Sequence, residues 1–452
     1  MIFFVHRFND IDHFSPIIYK IASDTDQKIL VLGINPFAPL RDDFRLKFLK
    51  NKFGVEIEYL NLISNISLIQ KISGEILSRG YLGESLIENI RILLGKSDIK
   101  VNPLLAIYHL FLGSLRAFLS RFNIYKKIAT KIYDIKWSDE LLLKFKPSIL
   151  IFDHAATSSK IGSLADTSPI KYIFISAKKM EIPTLSLPHG VPLFIKHPEQ
   201  YALRINLFAS DLSDYIVMQH TYWMKECLEA GLDESKSSIL GLARYCSEWS
   251  SMLEKIIPKE QGLNEKGVDK LKIVYMDTGP DNYGKGKADI QVLLDKINQL
   301  EFVYLIYKPH TRRNKSHFNL SKKIENGKEI NSVNLVNWAD VVIGMHSSIM
   351  IEALIQNKAY ISPAYFRKNS KFVDGVKVTY SETIYEQYNA CWIVDSDSEL
   401  ISALHKLREN LDFKPYTKNN VESFLTDIVY SGEKNKDVLG VYRDYILNLV
   451  IK

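Results

Sequence analysis

Cysteine is scarce in this chain. Cys227, Cys246 and Cys391 are its three cysteines, far apart, with no Cys-x-x-Cys pair among them. An odd, scattered set excludes a disulfide framework and a cysteine-based zinc site, and it predicts a reducing compartment. Long hydrophobic runs are missing as well. A membrane span needs about 18 apolar residues, whereas the nearest approach, 104–113, is interrupted by His109 and followed by Arg116. The opening residues meet Arg7 and Asp10 too early for a secretory leader. The expected location is therefore the cytoplasm. Strong charge of one sign is also absent: the net charge is +6 and the pI about 8.8. Such mild basicity suits an anionic ligand or an acidic membrane surface and excludes a nucleic-acid binder, for which no motif is present. Internal repeats and low-complexity tracts are not found.

What the chain does have is an ordinary globular composition, 46% hydrophobic and 24% charged over 452 residues. That length predicts about two or three domains. Short apolar runs at 2–5, 28–33 and 55–62 alternate with helical spacing at 14–22 and 42–53, the signature of βαβ units and a parallel sheet. From 67 to 146 the pattern is helical and long. Its 104–122 segment carries basic residues at the far end and reads as a buried helix, with a membrane-facing helix as the competing reading. Strands resume at 148–152, 184–187, 207–209 and 215–218. The polar, glycine-containing stretch 258–269 is the linker candidate, and a second alternating block follows it. The expected fold is α/β, with two facing Rossmann-like domains, parallel sheets and C-terminal helices. The boundaries fall at 1–257, with the 67–146 stretch as a helical insertion, a 258–269 linker, 270–415, and a 416–452 helix pair packing back on the first domain.

The second block collects anion-binding groups at the ends of its strands. The loop 277–287 offers Gly279, Lys285 and Lys287. The turn 308–313 offers Lys308, His310, Arg312 and Arg313. Ser347 and Ser348 open an apolar segment that contains Glu352. Lysine and arginine pair with phosphate, and a helix start favours an anion. Capping alone would also explain the two serines. Loops at the carboxyl ends of one parallel sheet converge on one crevice, so three such loops predict one phosphate site.

Lys308-Pro309-His310-Thr311 after a buried strand, followed by the 338–363 stretch, resembles the nucleotide-binding half of bacterial GT-B glycosyltransferases of surface polysaccharide synthesis. Within these it is similar to the group with cytidine-linked donors: sialyl and Kdo transferases and CDP-glycerol glycerophosphotransferases. Thr311 replaces the second proline usual in that motif. The Pro188-His189-Gly190 turn, the opening segment 6–22 and the turn 241–245 are similar to corresponding parts of such proteins. The resemblance implies an enzyme that moves a sugar from a CMP- or CDP-linked donor, such as CMP-Kdo or CMP-sialic acid, to a glycan or lipid-linked glycan acceptor. The growing glycan would be capsule, O-antigen or lipooligosaccharide. The alternatives are a CDP-glycerol or CDP-ribitol polyol-phosphate transferase, a nucleotide-sugar 2-epimerase and a catalytically dead scaffold.

The resemblance also implies site roles. Lys308, His310, Ser347 and Ser348 would hold the donor phosphate and nucleotide, with Gly279 in the adjoining loop, and Glu352 would bind the ribose hydroxyls. The acceptor hydroxyl needs a base from the opposite domain. His189 is the first candidate, Asp12 or Asp10 the second, and Asp153-His154 the third; helix capping is the competing role for the aspartates. No cofactor and no metal are expected. Asp395-Ser396-Asp397 has the form of a metal-holding motif but sits where a helix cap would. The partners expected are the donor, the acceptor and the inner face of the cytoplasmic membrane, with no nucleic acid. The sequence carries no reading of oligomeric state.

Overall fold

The computed structural model describes residues 1–5, 8–34, 40–60, 135–154, 169–188, 190–196, 213–229, 231–278, 287–310, 318, 324–345, 347–367, 370–373 and 376–451. Most of the expected helical insertion and the strand expected at 207–209 lie outside the described residues, as do the Arg312–Arg313 pair and the loop holding Gly279.

Two parallel sheets organise the chain. In the first are β1 (Ile2–Val5), β2 (Leu30–Gly33), β3 (Glu56–Tyr59), β4 (Leu150–Asp153), β5 (Thr184–Leu187), β7 (Tyr215–Met218) and β8 (Ser237–Ile239). Their spatial order is β3-β2-β1-β4-β5-β7-β8. In the second are β9 (Leu271–Met276), β10 (Val303–Lys308), β11 (Glu325–Asn326), β12 (Val341–Gly344), β13 (Ala359–Pro363) and β16 (Trp392–Val394), in the order β11-β10-β9-β12-β13-β16. The central strands β1, β4 and β12 are buried at every position, as a parallel sheet covered on both faces requires. Each order reverses once, between β1 and β4 and between β9 and β12, and ligands of doubly wound sheets bind at that switch point.

Thirteen helices are present among the described residues. In the first half these are α1 (Phe8–Asp24), α2 (Phe44–Phe53), α3 (Ile135–Phe145), α4 (Pro169–Lys179), α5 (Thr221–Glu229) and α6 (Ser247–Ile256). The second half has α7 (Lys287–Asn298), α8 (Ser332–Trp338), α9 (Ile349–Ile355), α10 (Ile384–Gln387), α11 (Asp397–Glu409) and α12 (Lys418–Ile428). The last, α13 (Val438–Ile451), returns: Val438, Leu439, Tyr442 and Ile446 join the core of the first sheet beside Phe14 and Ile18 of α1. Phe424 and Ile428 of α12 stay in the core of the second, so of the helix pair expected to pack back on the first domain only α13 does so. This is the α/β GT-B arrangement that the sequence predicts.

The crossing between the halves is tight. Gly241 has φ +100°, and a Cβ there would meet the Val429 carbonyl at 2.7 Å, so only glycine fits. Leu242 N–H donates to that same carbonyl at 2.9 Å, and the Tyr442 hydroxyl donates to Gly241 O at 3.0 Å. A third, antiparallel sheet was not read from the sequence. Strand β6 (Phe194–Lys196), from the first half, pairs with β15 (Val376–Thr383) of the second, which pairs in turn with β14 (Ser370–Val373). The linker candidate 258–269 is folded onto the second half: Leu263 is buried in its core and Lys266 O accepts from the Trp338 indole at 3.2 Å.

Candidate functional site

The carboxyl ends of the two sheets face one cleft of about 540 Å³. Its first wall is built from α1, the start of α2 and the short turn Ala243–Tyr245. Asp43 caps α2, its carboxylate accepting from the N–H groups of Arg45 and Leu46. The same carboxylate takes the Arg45 side chain in a fork, Nε–Oδ1 3.0 Å and Nη2–Oδ2 2.6 Å. Arg45 is 4% exposed and also pairs through Nη1 with Asp12. Arg244 then meets the other oxygen of Asp12 at 3.2 Å. The result is an ionic chain, Asp43–Arg45–Asp12–Arg244, running from a buried helix start to the cleft. Burial works against both charges of the inner pair, raising the Asp43 carboxyl and lowering the Arg45 guanidinium. The rings of Phe8 and Phe44 lie 4.9 and 5.3 Å from that guanidinium and keep water from it.

The second wall holds the residues that the sequence singles out. Lys308, His310, Ser347, Ser348 and Glu352 all line the cleft, and Asp12 faces them. Their geometry differs from the expectation at Lys308. Lys308 is 6% exposed, and its ammonium donates to three carbonyls, Gly327 at 3.1 Å, Lys328 at 2.8 Å and Ile330 at 2.6 Å. An ammonium has three N–H donors, so none is left for a phosphate. Lys308 instead shapes the 327–330 turn, and burial lowers its pKa to about 8. Ser348 stands at the start of α9 with no side-chain cap, while Ser347 Oγ accepts weakly from Ile349 N–H at 3.4 Å. Capping therefore does not use up the two hydroxyls. Glu352 is 4% exposed; burial raises its carboxyl and the Arg244 charge across the seam opposes that rise.

The candidate bases separate. Asp10 is fully buried in α1 and does not line the cleft. Residues two apart on a helix do not share a face, so only Asp12 of the two reaches it. Both oxygens of Asp12 are taken by guanidiniums, which favours a positioning role over proton abstraction. Asp153 and His154 are buried at the end of β4, where the imidazole packs against the Trp223 ring at 5.2 Å, away from the cleft lining. His189 and Gly279 lie outside the described residues, although Gly190 and Val191 beside His189 line the cleft. In the Asp395–Asp397 motif, Ser396 caps α11, and Asp397 bonds Lys296 at 2.7 Å and the Tyr365 hydroxyl at 2.5 Å. Among the described residues no group of three or more His, Cys, Asp or Glu side chains could hold a metal ion. None of them forms a helix long and apolar enough to cross a membrane.

Sequence reasoning missed Arg45, Asp43, Arg244 and Tyr245. Asp43 and Arg45 sit in a strongly charged segment where charges read as solvated, and only the spacing of an N-cap marks them. Arg244 belongs to a turn noted for its likeness alone.

No protein-family model matches the chain, and no curated protein matches it. Solved structures do match, across the whole length. The chain is similar to S. aureus MnaA in a co-structure with UDP: TM-score 0.52, 12% identity, covering 100% of this chain and 98% of that one. It is similar to the UDP-GlcNAc 2-epimerase of Neisseria meningitidis bound to UDP-GlcNAc, with TM-score 0.51, 12% identity and 100% coverage of both chains. The UDP-GlcNAc 2-epimerase of Methanocaldococcus jannaschii, in complex with UDP-GlcNAc and UDP, gives TM-score 0.50 and 14% identity, covering 100% of this chain and 99% of that one. At these identities the likeness establishes the fold.

Proposed function

We propose that this chain is a nucleotide-sugar enzyme of the GT-B type, and specifically a glycosyltransferase that extends a bacterial surface glycan. One observation carries the reading: His310, Ser347, Ser348 and Glu352 reach a single cleft from separate strand ends of the second sheet, opposite the Asp12 wall of the first. That is the crevice in which doubly wound sheets take their ligands. The 270–415 block would bind the donor and the 1–257 block the acceptor. The two serine hydroxyls and His310 would meet the donor phosphate, where charge grows as the sugar leaves. Glu352, buried in the cleft lining, suits a pair of ribose hydroxyls. His189, at the turn between β5 and Gly190, would take the acceptor proton. No metal is needed in this scheme, and contact with the inner membrane face belongs to the acceptor side of the proposal.

The nucleotide base is the finer question. The 308–311 and 338–363 motifs resemble the cytidine-using group, while the fold neighbours hold UDP or UDP-GlcNAc. Thermal shift with CMP, CDP, UMP, UDP and GDP separates these readings, because a ligand stabilises by its affinity for the folded state. A shift with cytidine nucleotides alone supports the CMP- or CDP-linked donor, and a uridine preference moves the donor to a UDP-sugar. No shift with any nucleotide sinks the enzyme reading. Replacing His189 by alanine is expected to leave that shift intact and remove turnover. The alternative activity, 2-epimerisation, is the one named for the N. meningitidis and M. jannaschii structures. It requires exchange of the hydrogen at sugar C2, so solvent deuterium would enter UDP-GlcNAc under epimerisation and not under transfer.

A further inference from the structure

The engagement of Lys308 takes one of the cations that the sequence assigns to the proposed phosphate site out of reach of a ligand. Another cation, Arg244, stands at the seam between the halves. The turn Ala243–Tyr245 belongs to both cores: Ala243 and Cys246 pack in the first, Leu242 and Tyr245 in the second. Arg244 therefore projects where the two sheets meet, and it lines the cleft. Its guanidinium is fixed from behind. Asp12 holds Nη1 at 3.2 Å, Arg45 holds Asp12, Asp43 holds Arg45, and the Tyr245 ring lies 5.0 Å from Cζ. Among the described residues no acceptor engages Nε or Nη2. Arg244 thus keeps a vacant, preoriented fork, which matches the geometry of a phosphate.

The opposite side of the seam supplies a second observation. Tyr245 is 1% exposed, and its phenol oxygen stands beside the Ser348 hydroxyl without a well-formed hydrogen bond to it. It faces the Ser348 hydroxyl, and the Arg244 charge acts on Glu352. A buried hydroxyl that is poorly bonded costs free energy until a better partner forms. A phosphate oxygen lodged against Ser348 would let that hydroxyl turn toward the ligand and accept from the phenol.

We propose that Arg244 is a phosphate-binding cation of this cleft, gripping the donor's phosphate from the first half while Ser347 and Ser348 hold it from the second. Asp12, Arg45 and Asp43 are positioning residues that aim the fork. This rests on the nucleotide reading above and adds to it a clamp across the seam, through which the phosphate ties the two halves together.

The test is calorimetric titration of the full chain with nucleosides and their mono- and diphosphates, in the uridine and cytidine series. In the unchanged protein, affinity should rise steeply from nucleoside to diphosphate and fall with added salt. Arg244→Gln should cost roughly 10- to 100-fold in diphosphate affinity, the weight of charge-assisted hydrogen bonds, and leave nucleoside affinity unchanged. Arg244→Lys, which keeps the charge but loses the fork, should recover part of that difference and guards against a folding defect in the first variant. Equal losses for nucleoside and diphosphate in both variants, or no loss in either, would overturn the assignment. If the unchanged protein binds neither nucleosides nor nucleotides, the nucleotide reading itself fails, and the assignment with it.

Discussion

The two walls of the cleft handle buried positive charge in opposite ways. On the first, Arg45 is neutralised by side chains, with Asp43 in a fork and Asp12 beyond it. On the second, Lys308 meets no carboxylate within ion-pair range among the described residues and is wrapped by the carbonyls of Gly327, Lys328 and Ile330. The first arrangement conveys orientation outward, because each partner in the chain fixes the next, and Arg244 is its free end. The second ends where it begins, since the carbonyl dipoles absorb all three donors and nothing is offered to a ligand. A cation beside a cleft is therefore not yet a ligand-binding cation. What decides is whether its donors are already taken.

The largest expected effect is on the ionic wall. Arg45→Met removes one member of a buried pair and strands Asp43, which is 8% exposed, next to an unchanged Asp12. Breaking a buried pair on one side typically costs about 3–5 kcal/mol. Urea unfolding should show a loss of that order, together with weaker phosphate binding as Arg244 loses its anchor. A loss below about 1 kcal/mol would mean that the chain is no better than a surface ion pair.

The carbonyl cage should be the milder case. Lys308→Met leaves three carbonyls to find water or lose a partner, at about 1–3 kcal/mol. Its sharper signature is in pH. Burial lowers the folded-state pKa to about 8, below the ordinary lysine value near 10.4. Between about 8 and 10.4 the unfolded chain binds more protons than the folded one, so stability rises with pH across that window. Below about 8 both states are protonated and the cost of burying the charge is fully present. The difference in urea midpoint between the unchanged protein and Lys308→Met should therefore grow in favour of the unchanged protein as pH climbs from 8 to 10. An unchanged difference would show that the cage holds a charge as easily as water does.

The contrast also explains what was legible beforehand. Strands such as Ile2–Val5 and Tyr215–Met218 are apolar runs with fixed neighbours, and their lengths and positions follow from composition. Helix α1 begins earlier than its apolar spacing predicts, at Phe8 instead of near Phe14, and it carries Pro16 within it. Proline has no N–H to give the Asp12 carbonyl, an interruption that hides the first turns from a periodicity search. The cleft residues of the second sheet were legible because they follow strands directly. The ionic wall was not, since Asp12, Arg45 and Arg244 come from three separate elements and meet only through tertiary packing. Asp340, which opens the 338–363 stretch, turns out to be structural, its carboxylate accepting from Lys272 N–H at 2.9 Å.

The smallest stability effect is expected at Ser347, and its smallness is informative. A serine that caps a helix contributes about 0.5–2 kcal/mol, but the bond from Ile349 N–H is long, at 3.4 Å, and α9 is short. Ser347→Ala should therefore cost about 0.5 kcal/mol or less in urea, while the thermal shift given by a nucleotide falls clearly. A residue that weakens ligand binding without weakening the fold has its hydroxyl directed at the ligand. If Ser347→Ala instead lost about 2 kcal/mol and kept its nucleotide shift, the serine would be a cap, and the second wall would be left with Ser348 and His310 to receive the phosphate.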